Sequence, residues 1–218
     1  MMNAVLTLPL LFLIYIASRQ THTLVFSLTH HTSGSKMIAV SLLSLLLYPG
    51  TVVHELAHLL TALILFVPIE KLELEPKVEK GYIRAGSVTA HATDIIRQSL
   101  ISIAPLPVGI FTLWFIQSEI LLIDVSTFSP DRLFSSLPSP AITTASVFAL
   151  FSVSSSMFPS STDVRLAGTI PLIVAAFVIS GAIVLFLPSV VPILQSLILP
   201  FLLHIIVLVV VFGIRHVI

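Results

Sequence analysis

The chain reads Thr51-Val-Val-His54-Glu55-Leu-Ala-His58-Leu-Leu60, which is the pattern H-E-x-x-H set inside a long apolar run. On a helix, residues four apart lie on the same face, so His54 and His58 can offer two imidazole nitrogens to one metal ion. Glu55 follows the first histidine directly, where it would be a poor third ligand but could take a proton from water at the metal. The stretch therefore predicts half of a hydrolytic metal site. The alternative is a polar cluster that packs this helix against its neighbours.

The composition limits the class of protein. Of the 218 residues, 56% are hydrophobic and only 9% are charged, and the mean hydropathy is +1.12, which predicts an integral membrane protein. Ten basic and ten acidic residues balance without a basic tract, so nothing indicates a nucleic-acid partner. Because the chain has no cysteine, any metal ligand must be His, Asp or Glu.

Apolar runs along the chain predict an α-helical integral membrane protein with about six transmembrane helices, forming a single polytopic membrane domain over residues 1–218. The first run lacks a basic start and a cleavage site, so it is interpreted as a retained span. Residues 19–36 are predicted to be a polar connection, with the His30-His31 pair in a solvated loop. The predicted spans are 3–18, 37–66, 95–117, 141–157, 166–187 and 189–213.

Prolines and one histidine mark special positions inside these spans. Pro49-Gly50 predicts a kink or break before the motif, which would leave the motif on its own short helix, 51–66. Ala104-Pro-Leu-Pro-Val-Gly109 removes backbone hydrogen bonds within the third span, so this interruption is expected to face the bundle interior, where other groups can satisfy the backbone. His204 is interpreted as a hydrogen-bonded interior histidine in preference to a ligand.

Residues 69–91 are predicted to form a small β-hairpin after the motif helix. Apolar and charged side chains alternate from Ile69 to Glu79, Lys80-Gly81 is a plausible turn, and a returning strand follows from Tyr82. An exposed strand edge could hold an extended peptide by main-chain hydrogen bonds. A plain solvated hairpin fits the pattern equally well.

A hydrolytic zinc site usually has three protein ligands, so the motif needs a third. Counting spans brings Asp163 to the side of the motif, at the start of a helix that leads into the membrane. Asp163 is therefore the favoured ligand, although His91 and Asp94 also reach that side. Its spacing from Ser160 equally fits a helix capping box, and the sequence leaves both roles open. Three other acids are predicted to lie on the opposite side: Glu119, Asp124 and Asp131.

The distribution of Lys and Arg predicts the orientation. More of these residues lie on the hairpin side than on the other, which places the hairpin and the metal site toward the cytoplasm. The hairpin side has seven, namely Lys71, Lys77, Lys80, Arg84, Arg97, Arg165 and Arg215; the opposite side has three, namely Arg19, Lys36 and Arg132.

Taken together, these features make the chain similar to the site-2 protease family of intramembrane zinc metallopeptidases. The similarity consists of His54-Glu-Leu-Ala-His58 on a membrane helix, a hairpin after it, and Asp163 near a later span end. It implies that His54, His58 and Asp163 bind Zn²⁺ and that Glu55 is the general base. The family commonly has an Asn-Pro…Asp-Gly stretch around its third ligand, whereas this chain has Pro159-Ser-Ser-Thr-Asp163.

The function expected from this resemblance is hydrolysis of peptide bonds in membrane-associated substrates by metal-activated water. The expected partners are the lipid bilayer and a membrane protein or peptide substrate, and the oligomeric state is not indicated. The alternative is a non-catalytic membrane scaffold with a site-2-protease-like fold that binds partner proteins.

Overall fold

The computed structural model describes residues 2–73, 77–79, 82–84, 87–90, 94–122, 137–167 and 196–217, and this part of the chain is almost entirely helical. Three stretches within it are long and apolar enough to cross a membrane, namely Lys36–Ile64, Ile95–Ile120 and Ile198–Arg215. The predicted fifth span and the start of the sixth lie almost wholly outside the described residues. The helices are α1 (Met2–Ser33), α2 (Lys36–Ile64), α3 (Ile95–Ile103), α4 (Pro105–Phe115), α5 (Pro140–Ser156), α6 (Ser161–Ala167) and α7 (Ile198–Val217).

Short strands follow α2. They are β1 (Ile69–Glu73), β2 (Lys77–Glu79), β3 (Tyr82–Arg84) and β4 (Ser87–Ala90). Strand β1 pairs antiparallel with β4, and β2 pairs antiparallel with β3. The predicted turn at Lys80-Gly81 lies outside the described residues. Both β1 and β4 contact α2, so this pair of strands lies beside the helix that carries the motif.

Helix α1 continues far beyond the predicted first span, so the prediction of a polar connection over 19–36 is wrong. The hydroxyl groups of its polar half bond back to the helix itself: Thr21 Oγ1 donates to the Ala17 carbonyl at 2.8 Å, and Thr32 Oγ1 donates to the Leu28 carbonyl at 3.0 Å. These bonds satisfy the hydroxyls without a loop. The helix ends before Gly34, whose φ of +66° is the left-handed conformation that commonly terminates helices.

The motif helix α2 has an apolar outside and a small or polar inside. Its buried residues include Gly50, Thr51, His54, Glu55 and His58. Its leucines face outward instead, with Leu45 68% exposed and Leu60 52% exposed. In water this arrangement would leave apolar surface unburied, whereas lipid can cover leucines and small residues let helices pack closely. The side-chain distribution therefore suits a membrane helix.

Pro49 does not break α2, so the prediction of a separate short motif helix is wrong. The helix runs without interruption from Lys36 to Ile64. A neighbouring helix provides a partner for a backbone group next to the proline, because the N–H of Gly50 donates to Ser152 Oγ of α5 at 2.8 Å. Side chains of adjacent helices can satisfy backbone groups disturbed by proline in this way.

The interruption predicted in the third span is confirmed. The regular hydrogen bonding of α3 ends at Ile103 and Pro105 opens α4 with its side chain almost completely buried, while Ala104 between them keeps helical dihedral angles. Gly109 lies against α5, because a Cβ at this position would come within 2.4 Å of the Met157 Cβ. As predicted, part of this stretch faces the interior: Ala104, Pro105 and Gly109 are buried, whereas Pro107 is exposed. The apolar core around it combines Ile14, Ile110, Leu113, Leu150 and Leu197, among others.

Candidate metal centre

The two histidines of the motif lie one above the other on the buried face of α2. His54 is 8% exposed and His58 is 5% exposed. Their Nε2 atoms are 3.1 Å apart, as the four-residue spacing predicts. The pair thus directs two potential ligand atoms at one point inside the bundle.

Backbone carbonyls hold both rings from behind. His54 Nδ1 lies 2.7 Å from the Ser156 carbonyl oxygen, and His58 Nδ1 lies 2.7 Å from the Ile101 carbonyl oxygen. Because a carbonyl can only accept, each Nδ1 must carry the proton and donate it. In this tautomer the two Nε2 atoms face each other and can both bind a cation placed between them. Histidines that bind a metal through one ring nitrogen usually donate a hydrogen bond from the other nitrogen, as Nδ1 does here.

The sequence explains why both carbonyls are free to accept a hydrogen bond from a histidine. Ser156 is the last residue of α5, where carbonyl oxygens lack partners within the helix. The helical partner of the Ile101 oxygen would be the N–H of residue 105, but that residue is proline and has none. Neither carbonyl was foreseen as part of the site, although Pro105 was the signal that could have revealed the second.

Asp163 lies beside the histidine pair, at the start of α6. Its Oδ2 is 3.4 Å from His54 Nε2, and its Oδ1 is 3.4 Å from His58 Nε2. The same carboxylate also forms the capping box, because Oδ2 accepts from the Ser160 N–H at 2.6 Å and Ser160 Oγ accepts from the Asp163 N–H at 3.2 Å. The structure therefore shows the capping role and places the same carboxylate where it could also bind an ion beside the two histidines.

The environment keeps the Asp163 carboxyl ionised. Burial by itself raises its pKa, but hydrogen bonds with His54 and His58, which require a proton on Nε2 when no metal is bound, and with Ser160 outweigh burial and hold the pKa well below its ordinary value. An ionised carboxylate beside two imidazoles is a donor set that attracts a divalent cation.

The spacing of these atoms fits a small tetrahedral ion. Zinc bonds of about 2.0–2.2 Å in a tetrahedron separate neighbouring ligand atoms by about 3.3–3.6 Å. The distance here from each Nε2 to Asp163 is 3.4 Å, within this range, and the two Nε2 atoms are 3.1 Å apart, slightly closer than the range. His54, His58 and Asp163 therefore form a group that could hold a metal ion.

Glu55 is the fourth ionisable residue at this centre. It is 7% exposed and lies among the buried residues of α2, directly after His54 in the chain. Burying a carboxylate beside a cation site costs far less than burying it in an apolar environment. Its position next to the two histidines is the one that the motif predicts for a general base.

The other sequence candidates are not brought to this centre within the described residues. Asp94 caps α3, where its Oδ1 accepts from the Arg97 N–H at 2.8 Å. Glu119 is exposed on the π-helical turn Ile116–Ile120 that follows α4. His91, Asp124 and Asp131 lie outside the described residues.

His204 is a hydrogen-bonded interior histidine, as predicted. Its Nδ1 donates to the Pro200 carbonyl at 2.9 Å, and its Nε2 lies 3.1 Å from Ser155 Oγ. The pair His30-His31, predicted in a loop, is instead in the last turn of α1, because this helix continues to Ser33.

Comparisons with family models, with curated proteins and with solved structures found no match. The functional interpretation therefore depends on the geometry of this centre.

Proposed function

We propose that this chain is an intramembrane zinc metallopeptidase that hydrolyses peptide bonds of membrane-associated substrates. One observation carries the proposal: two Nε2 atoms and a carboxylate converge at 3.1–3.4 Å on the polar face of a helix that is apolar enough to cross a membrane. Ionisable groups in such a helix are costly and usually serve a function. Three protein ligands leave one coordination position for water or substrate.

Each residue has a defined role in this proposal. His54, His58 and Asp163 hold the metal, and the Ser156 and Ile101 carbonyls orient the two imidazoles. When bound, zinc lowers the pKa of a water molecule and polarises the scissile carbonyl. Glu55 accepts a proton from the water whose oxygen adds to the carbonyl carbon, and it delivers that proton to the amide nitrogen as the C–N bond breaks.

The proposal includes the membrane arrangement. The chain would cross the bilayer six times, and residues 69–91 would form one hairpin beside α2, with the metal site toward the cytoplasm. The contacts of β1 and β4 with α2 support this, because a substrate added along the strand edge would lie close to the motif helix.

Metal content and proteolysis test the proposal together. Protein purified without a polyhistidine tag should contain about one zinc per chain by elemental analysis, and His58→Ala should lose it. Glu55→Gln should keep the zinc and lose cleavage of a fluorescent casein and of single-span membrane peptides, because the amide cannot accept a proton.

Each outcome has a clear meaning. Full turnover by purified Glu55→Gln would contradict the mechanism, and a different metal, such as iron, would contradict the zinc assignment. Zinc bound by a wild-type protein that cleaves none of these substrates, or absence of metal, would favour the non-catalytic scaffold.

A further inference from the structure

The Ile101 carbonyl is one of three in the described part of the chain that precede a proline by four residues and accept a hydrogen bond from another part of the bundle. The other two are Ser155 and Ser196. The donors are His58 Nδ1 at 2.7 Å, Ser18 Oγ at 3.1 Å and Gln117 Nε2 at 2.7 Å. Ile101 lacks its usual helical donor because residue 105 is proline, whereas Ser155 lies at the end of α5 and Ser196 lies just before α7 begins.

At Ile101 the released carbonyl belongs to the metal centre. Its oxygen accepts from His58 Nδ1 at 2.7 Å and, through a longer bond of 3.3 Å, from the Ala104 N–H. A carbonyl oxygen has two lone pairs, so these donors already use its capacity. An N–H at position 105 would be a third donor, placed where a helix directs it at this oxygen.

We propose that Pro105 is a positioning residue for the metal site. By lacking an N–H it reserves the Ile101 carbonyl for His58, which fixes the proton of that ring on Nδ1 and directs Nε2 at His54 and Asp163. The inference rests on the proposed function in taking His58 as a metal ligand. Pro105 touches neither metal nor substrate in this proposal.

The test compares Pro105→Ala with Pro107→Ala. Both changes restore one N–H in the first turn of α4, but only residue 105 follows Ile101 by four. Pro105→Ala should weaken zinc binding roughly 10–100-fold, the usual cost of losing an outer partner of a ligand. Pro107→Ala should bind zinc as tightly as the wild type. Zinc affinity is measured by competition with a chromophoric chelator.

A backbone variant distinguishes the effect of the introduced N–H from the effect of losing the proline ring. Because the Pro105 ring is buried, alanine also removes packing. Lactic acid, incorporated at position 105 by nonsense suppression, has the alanine side chain but an ester oxygen in place of the N–H. This variant should recover the zinc affinity that Pro105→Ala loses.

The tautomer of His58 gives a second readout, in metal-free protein. Nitrogen-15 spectra should show Nδ1 protonated in the wild type and in the lactic-acid variant, and a mixture of tautomers in Pro105→Ala. This comparison still tests the positioning role if the wild type binds no zinc, in which case the proposed function fails separately.

Equal zinc affinity in all four proteins, with His58 protonated on Nδ1 throughout, would overturn the proposal. Equal loss of folding in Pro105→Ala and the lactic-acid variant, with Pro107→Ala intact, would overturn it as well, since the ring and not the missing N–H would then matter.

Discussion

Asp163 caps α6, and in the proposed function the same carboxylate also binds the metal. Two oxygens provide about four acceptor positions, enough for the backbone N–H of Ser160 and for a cation between the histidines. The short 2.6 Å bond from Ser160 fixes the carboxylate against the start of α6. The capping box therefore orients the ligand as well as beginning the helix.

Replacing Asp163 by Asn separates these tasks. The amide keeps an oxygen that can accept from Ser160, so α6 should still begin at the same residue, but the negative charge at the metal is lost. We expect zinc affinity to fall by more than the roughly 10–100-fold that loss of an outer partner costs. Chelator competition measures the affinity.

Ser160→Ala is the matched control for Asp163→Asn. It removes one bond of the capping box, which should cost about 0.5–2 kcal/mol of unfolding free energy. The zinc affinity should fall less than in Asp163→Asn, because all three ligands remain. Wild-type zinc affinity in Asp163→Asn would show that Asp163 is a cap and not a ligand.

The distance between α2 and α5 sets the position of His54. These helices meet closely at Gly50, where a Cβ would come within 2.0 Å of the Ser152 carbonyl oxygen. The Ser156 carbonyl that orients His54 lies one turn further along α5. Any change that separates the two helices should therefore also disturb the metal ligand.

Gly50→Ala should force that separation. Its methyl group would meet backbone atoms, which cannot rotate away, and such overpacking typically costs about 1–3 kcal/mol of unfolding free energy. Zinc affinity should fall at the same time. Gly213→Ala in α7 is the control, because a Cβ there has no described atom within 4 Å. Reversible unfolding in detergent measures the stability, and equal stability of both variants would contradict the close contact.

Local sequence patterns predicted which residues share a face better than they predicted where each helix begins and ends. The four-residue spacing was enough to place His54 and His58 on one face, and the proline pair was enough to locate the break between α3 and α4. Pro49 was misjudged because Ser152, more than a hundred residues away, compensates for it. Residues 19–33 were misjudged because their hydroxyls bond within the helix. The sequence favoured Asp163 as the third ligand, but it could not show whether a carboxylate that caps α6 would also lie beside the histidines.

In the described part of the bundle, the polar groups of the metal centre lie inside, and many large apolar side chains lie on the outer surface. The ionisable residues of the metal centre are buried, while residues such as Ile64 and Val209, 73% and 66% exposed, cover the outer faces of α2 and α7. In a bilayer the outer surface needs no further cover, and the inner groups need the partners that they have.

The proposed crossing of the bilayer by α2 can be tested with single cysteines. Because the chain has no natural cysteine, an introduced one is a unique label site. Ser33 and Thr162 are exposed near opposite ends of the proposed membrane region. A membrane-impermeant maleimide should label Thr162→Cys from the cytoplasmic face and Ser33→Cys from the other face. Labelling of both from the same face would contradict the topology.

The carbonyl that Pro105 leaves without a helical donor has a consequence for mutational scans of this protein. In the proposal Pro105 contributes by lacking an N–H, and every other amino acid would introduce the same additional hydrogen. A saturation scan should therefore show uniform intolerance at residue 105, independent of side-chain size or polarity. That result would distinguish residue 105 from ordinary packing positions, where tolerance follows side-chain volume.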